Sequence, residues 1–521
     1  MYFLLSLVFL TLIFVFQKKL HFAFGDHHPS IGLIEGIKRQ GNRFVRTHPN
    51  YIGDRHFAYP QLFHWLLSFL PQRVYTRHYN ALNYSISLSS FLLIVALVHP
   101  LFWEATGRGL DDLGLFGLAF ITTPFLWLPW NAKNLGISAR VPGTTIGIVY
   151  SLLLLQNTLH FSYVTLAILV LLCIVSILLS QFTTQFILFY SVALSIAFLE
   201  LWYISIPVAS FLLLAVAAPR FTRNYFIGQF THKYIYAKYL APEYVLSGRY
   251  SIWLDFIRGI PEALRKDWKS GLIYVYTNPL FLLLWAIPFQ TFMFFHFGDD
   301  GRIPLQKGIR VFALCGLALF ILFSFRKTRF LGEPERYVES LIPLHILYFF
   351  SNPSFDPRTA TWFILYSLLC ISMLFFIEYR SGTKTTKHRQ DRLDHAFESF
   401  VSKYGDSVSL VSNNWHVMRR FCSTPIRTLT PSFFTRRLGS LPLELLFKNS
   451  FLNLDPGCLE AVTGEFKLDY CIVDLTGHGS DAWIERLKSH GLQEVDLGQG
   501  YSCFNIAALA SSRQPDLIPR P

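Results

Sequence analysis

Charge is the scarcest commodity in this sequence. Only 15% of its 521 residues are Asp, Glu, Lys or Arg, against roughly 25% in an ordinary soluble domain. Long stretches carry none at all, which excludes a single water-soluble globule. Cysteine is sparse too. The seven Cys show neither a CxxC pair nor metal-ligand spacing, so zinc-ribbon and dithiol redox chemistry are excluded and no disulfide pairing can be assigned. The N-terminus, MYFLLSLVFLTLIFVF, lacks a basic leading region and a small-residue cleavage site. It therefore reads as a retained first span and not as a signal peptide. No internal repeat is evident, although many transporters carry repeated halves.

What is abundant is apolar sequence, 52% of residues, with 51 Phe. It falls in blocks of the length a helix needs to cross a bilayer, about 17–25 residues. Eleven such blocks are centred on residues 2–16, 82–99, 114–130, 143–156, 162–179, 183–199, 201–218, 273–295, 309–325, 338–351 and 361–377. The blocks are too long and continuous for barrel strands, leaving helices. The expected fold is thus a polytopic α-helical membrane protein of about eleven transmembrane helices, spanning 1–379. A small soluble α/β domain follows at 380–521. SGTKTTKHRQDR reads as a charged linker between them. In the tail, SVSLVS, DYCIVDL, LQEVDL and YSCFNI read as strands, and AWIERLKSH as a helix capped by Ser480 or Asp481 and ended by Gly491. The tail holds no phosphate loop, catalytic triad or metal cluster, so its expected role is structural or substrate-guiding.

The net charge of +13 does not point to nucleic acid. In a membrane protein Lys and Arg gather in loops, where they meet lipid phosphates. Two loops stand out. The connection 219–272 is rich in Tyr, Trp and Lys, as interfacial helices are. The first loop, 17–80, carries nine Lys or Arg against three acids and seven of the chain's 17 His. Such polarity beside a bilayer suits an anionic, lipid-borne substrate.

Within that loop Asp26 follows the first span by about ten residues, close enough to the bilayer surface to act as general base for a hydroxyl or amine. Ile31, Ile34 and Ile37, spaced by three, predict a helix lying along the membrane after Asp26. Tyr59-Pro60-Gln61-Leu62 then leads back to the second span. This pattern resembles the first external loop of the GT-C superfamily of membrane glycosyltransferases, which includes protein O-mannosyltransferase and aminoarabinose transferase relatives. Gln61 stands where many members have a second proline. His27 follows Asp26 where many have a second acid, which keeps Asp54 as another candidate base. A second likeness is FRKTRFLGEPERYVESLIPLHILYFF, Phe325–Phe350, which is similar to the late loop of these enzymes near the donor phosphate.

The resemblance covers residues 1–377 and implies transfer of a sugar from a polyprenyl-phosphate donor to a lipid, glycan or protein acceptor in the cell envelope, by a single inverting displacement. It implies Asp26 or Asp54 as base, and Lys327, Arg329, Arg336 and Arg55 on the donor phosphate. His27, His28, Tyr59, Glu333, Glu335 and Tyr337 are the candidates for positioning acceptor or substrate. The expected partners are the polyprenyl-phosphate sugar, its acceptor and membrane lipids. No cofactor is certain; a divalent metal ion is one candidate, with His27, His28, His48 and His56 as the group to bind it, although His pairs of this kind lack a diagnostic metal spacing and no metal ligand is assigned. A transporter or flippase of a lipid-linked anionic substrate is the alternative, although the spans are almost free of the charges such proteins use. Orientation is contested. The resemblance puts the first loop and tail on the external, periplasmic or lumenal side, whereas the charge count puts them in the cytoplasm.

Overall fold

The computed structural model describes residues 1–20, 27–52, 58–107, 109–127, 136–235, 237–238, 254–266, 268, 271, 274–275, 278–295, 304–325, 328, 331, 334–352, 355–429, 437–438, 441–442, 446, 454–477 and 479–511. The chain divides into two compact units. One comprises Met1–His21, His78–Thr222 and Tyr244–Ser381; the other comprises Phe22–Arg77, Arg223–Glu243 and Gly382–Pro521.

The first unit is helical. Among the described residues its helices include Tyr2–Leu20, Tyr79–Thr106, Leu110–Ile121, Arg140–Leu159, Tyr163–Leu179, Gln181–Phe198, Trp202–Ala217, Leu254–Lys266, Pro279–Ala286, Pro288–Phe295, Pro304–Phe323, Arg336–Glu339, Ile342–Ser351 and the start of Pro357–Tyr404. Each of the eleven apolar blocks falls on one of them or on an adjacent pair, as the described residues allow. Among the described residues four are, by length and composition, long and apolar enough to cross a membrane: Tyr79–Glu104, Gln181–Phe198, Pro304–Phe323 and Pro357–Phe376. Shorter apolar helices accompany them.

Local chemistry sets the breaks. Ser180 ends one helix and caps the next, its hydroxyl accepting from the Thr183 N–H at 3.4 Å. Gly107, with φ of +62°, closes Tyr79–Thr106 in the left-handed conformation that glycine tolerates best. The block 273–295 is divided ahead of Pro288, which lacks the N–H to continue a helix. The block 338–351 is likewise divided, at Ser340-Leu341.

The second unit is built on a five-stranded sheet of order β2-β1-β5-β7-β6, where β1 is Ser409–Ser412, β2 Arg427–Thr428, β5 Tyr470–Asp474, β6 Glu494–Gly498 and β7 Tyr501–Asn505. A separate short pair joins β3, Arg437–Leu438, to β4, Leu441–Pro442. β1 runs parallel to β2 and β5, and β7 antiparallel to β5 and β6. Alternate residues feed two cores. Val411, Cys471, Val473 and Phe504 meet Trp483 and Leu487 on one face, while Leu410, Ile472 and Cys503 meet Leu393, Ala396 and Phe400 on the other. All seven cysteines are free thiols.

Two expectations are corrected. The charged linker is helical: Pro357–Tyr404 runs unbroken for 48 residues. Lys, Arg and Gln are good helix formers, and no proline interrupts them. The helix Ser480–Ser489 is capped by Gly479 and not by Ser480 or Asp481, which lie inside its first turn.

Candidate active site

The helix His27–Arg39 forms where the isoleucine spacing predicts it. Asp26 immediately precedes it but lies outside the described residues, as do Asp54, Arg55, Lys327, Arg329 and Glu333. His27, His28, Tyr59, Glu335, Arg336 and Tyr337 are described.

The first loop is bound into the tail sheet. Asn50 accepts from the Thr428 N–H at 2.8 Å, and the Ile52 N–H donates back to Thr428 at 2.9 Å. Tyr51 thereby pairs in parallel with Thr428 at the edge of β2, and Ile52 enters the core beneath. The Asn50 side chain donates to the carbonyls of Cys422 at 2.5 Å and Thr424 at 2.6 Å. Helix His27–Arg39 turns two glycines toward these neighbours. A Cβ on Gly32 would overlap the Cys422 carbonyl oxygen, and one on Gly36 would overlap the Pro49 ring.

Around this helix sits a group of neutral imidazoles. His27 is buried, and burial, with the Arg420 charge second, lowers its pKa to about 4. His28, its ring centroid 5.2 Å away, is held well below 6.5, first by burial and then by Arg420, His27 and Arg419. His48 is lowered to about 3, mainly by burial. Its Nδ1 accepts from the Asn50 N–H at 3.2 Å, its ring stacks on Tyr51 at 3.7 Å, and it also hydrogen-bonds the Pro29 backbone. Among the described residues no three His, Cys, Asp or Glu converge as a metal cage.

Tyr59 stands edge-on to His64 at 5.7 Å, and His64 hydrogen-bonds Ser30 at 3.1 Å. Gln61, the departure from the two-proline pattern, makes a two-point clamp. It accepts from the Val45 N–H at 2.9 Å and donates to the Val45 carbonyl at 2.8 Å. The amide thus fixes the returning chain where a second proline would have stiffened it.

In the membrane unit, the turn at Glu335, Arg336, Tyr337 and Glu339 is buried throughout. The Arg336 guanidinium lies 4.5 Å from the centre of the Phe182 ring, a cation–π arrangement that steadies the charge. Tyr337 packs on Phe323 at 4.5 Å, and its hydroxyl donates to the Leu331 carbonyl at 3.3 Å. Gly147 admits Ser340: a Cβ there would come within 2.5 Å of the Ser340 hydroxyl. Small residues thus let the helix Arg140–Leu159 press against the charged turn.

Sequence reasoning missed three participants. Glu339 lies four residues after Glu335, on the same side of the turn, and that spacing was the available signal. Arg419 and Arg420 come from the tail, hundreds of residues from the histidines they act on, and no local pattern marks them.

These features define a polytopic helical membrane protein with a buried turn of acidic and basic residues in its first unit and a second, sheet-containing unit that takes in its first loop. Its fold is similar to that of ArnT. The match is to a crystal structure of ArnT from Cupriavidus metallidurans bound to undecaprenyl phosphate, with a TM-score of 0.54 and 12% identity, covering 98% of each chain. No protein-family model and no curated protein matches the sequence.

Proposed function

We propose that this protein is a membrane glycosyltransferase that takes its sugar from a polyprenyl-phosphate donor. The observation that carries the reading is the likeness of fold to ArnT, bound there to undecaprenyl phosphate, over 98% of both chains. The buried Glu335–Arg336–Glu339 turn supports it, because ionisable groups inside a membrane unit are costly and mark functional sites.

The reaction is a single displacement. Asp26, or Asp54 in its place, takes the proton from the acceptor hydroxyl or amine. The acceptor atom bonds to the anomeric carbon as the bond from that carbon to the phosphate oxygen breaks, inverting the centre. The electron pair leaves on the polyprenyl phosphate. Arg336, with Lys327, Arg329 and Arg55, stabilises the charge that develops there. Tyr59, Tyr337, Glu333 and Glu335 shape the substrate site. His27 and His28, neutral at pH 7, serve as hydrogen-bonding groups and not as cations. The first loop lies on the external side in this proposal.

The test is a native mass spectrum of the full chain extracted from its own membrane. The expected result is a bound polyprenyl phosphate that added undecaprenyl phosphate displaces. Recovery without any such lipid, and no uptake of added undecaprenyl phosphate, would overturn the donor class. Thiol labelling of Thr47→Cys, an exposed position, tests the side: labelling only from the cytoplasm would contradict the external placement.

A further inference from the structure

The helix Pro219–Ile235 starts one residue after the apolar helix Trp202–Ala217 ends, with only Ala218 between them. Its polarity is inverted for a water-exposed helix. Phe226, Ile227, Phe230 and Tyr234 are 39%, 53%, 73% and 36% exposed. At 3.6 residues per turn these four fall within an arc of about 100°. The opposite side carries His232 with the buried Tyr225, Gly228 and Ile235, and Thr222, Gln229 and Lys233, none of them exposed, run along the flank next to Phe226. Ile235 anchors the far end in the core under the tail sheet. Water outside would favour the reverse arrangement, since burying amide, imidazole and ammonium groups while exposing aromatic rings costs on both counts. Lipid outside removes half of that conflict. Arg220 and Arg223, both exposed, lie one to two turns nearer the span on the same outward side, at the level where snorkelling cations meet lipid phosphates.

We propose that Pro219–Ile235 is an interfacial helix, with the Phe226, Ile227, Phe230 and Tyr234 edge set among the acyl chains and Arg220 and Arg223 on the phosphates of anionic bilayer lipids. This surface is independent of the transferase reading. The occupant is the bulk membrane and not the lipid-linked donor.

The test uses the full chain in nanodiscs, with Cys458, the one thiol that is not buried, changed to Ser. Nitroxides are placed one at a time by Ile227→Cys, Phe230→Cys and, on the far edge of the exposed side, Asn224→Cys. The readout is collision with oxygen, which concentrates in lipid, against a water-soluble nickel chelate. Labels at 227 and 230 should favour oxygen several-fold more than the label at 224. Nickel-dominated collision at 227 and 230 would mean an aqueous surface, and shielding from both reagents would mean a protein partner. Either result overturns the proposal. Replacing zwitterionic lipid by phosphatidylglycerol should move label 230 further toward oxygen, and Arg220→Ser with Arg223→Ser should abolish that shift. A shift that survives both substitutions would overturn the anionic-lipid assignment.

Discussion

The side-chain amide of Asn50 donates to the backbone carbonyl of Cys422 at 2.5 Å, across 372 positions of sequence. The same amide reaches the Thr424 carbonyl, its oxygen accepts from Arg39 at 3.4 Å, and its backbone N–H meets His48. One buried residue thus ties the helix after Asp26, the imidazole group and the tail sheet together. Asn50→Ala takes a donor from the buried Cys422 carbonyl and from the part-buried Thr424 carbonyl, an expected loss of about 1–3 kcal/mol. Thermal unfolding of the purified protein measures it. A change under half a kilocalorie, on the order of a surface substitution, would show that the tail does not hold the loop.

Gly32 makes a steric version of the same point. An alanine there meets the Cys422 carbonyl and the Asn50 amide, so helix and tail must separate. The expected cost is about 1–3 kcal/mol, with transfer activity falling in parallel. Gly41→Ala is the control for a general effect: it meets nothing within 4 Å, although its φ of +70° adds local strain.

Acid should loosen the second unit. The folded pKa values of His27 and His48, about 4 and about 3, lie below the ordinary 6.5. Between those values and 6.5 the unfolded chain binds more protons than the folded one. The stability from burying neutral imidazoles is therefore complete above about pH 6.5 and is lost as pH falls toward 3. A series of unfolding curves between pH 7.5 and pH 4 should show it. His48→Gln should be less stable at pH 7 but have a flatter acid limb; an unchanged limb would remove His48 as a contributor.

Arg336→Lys keeps the charge but loses the planar guanidinium over Phe182 and the bidentate fork. The expected result is a roughly tenfold to hundredfold rise in donor KM, about 1.4–2.7 kcal/mol. Phe182→Leu should show a smaller change of the same sign. A wild-type KM for Arg336→Lys would take this arginine off the donor phosphate.

Much of this was legible from local pattern. Apolar length marked the spans, isoleucine spacing marked His27–Arg39, and the short stretches DYCIVDL and YSCFNI already read as β5 and β7. The helix through 381–392 was not, because Ser, Gly and Thr there mimic a linker, while what decides is the absence of proline between two folded segments. The pairing of Tyr51 with Thr428 was invisible for another reason. Three residues that complete a distant sheet edge carry no periodicity of their own. Gln61 looked like a departure because its clamp on Val45 is a tertiary contact.

The most direct measurement is single-turnover transfer by the full chain reconstituted in lipid, supplied with polyprenyl-phosphate sugars and a mixture of membrane acceptors, wild type beside Asp26→Asn. The expected result is transfer with inversion by the wild type, and loss of it in a variant that still folds and still binds polyprenyl phosphate. Wild-type turnover by Asp26→Asn would contradict the assignment of the base, and an inert wild type that never binds the lipid would contradict the function itself.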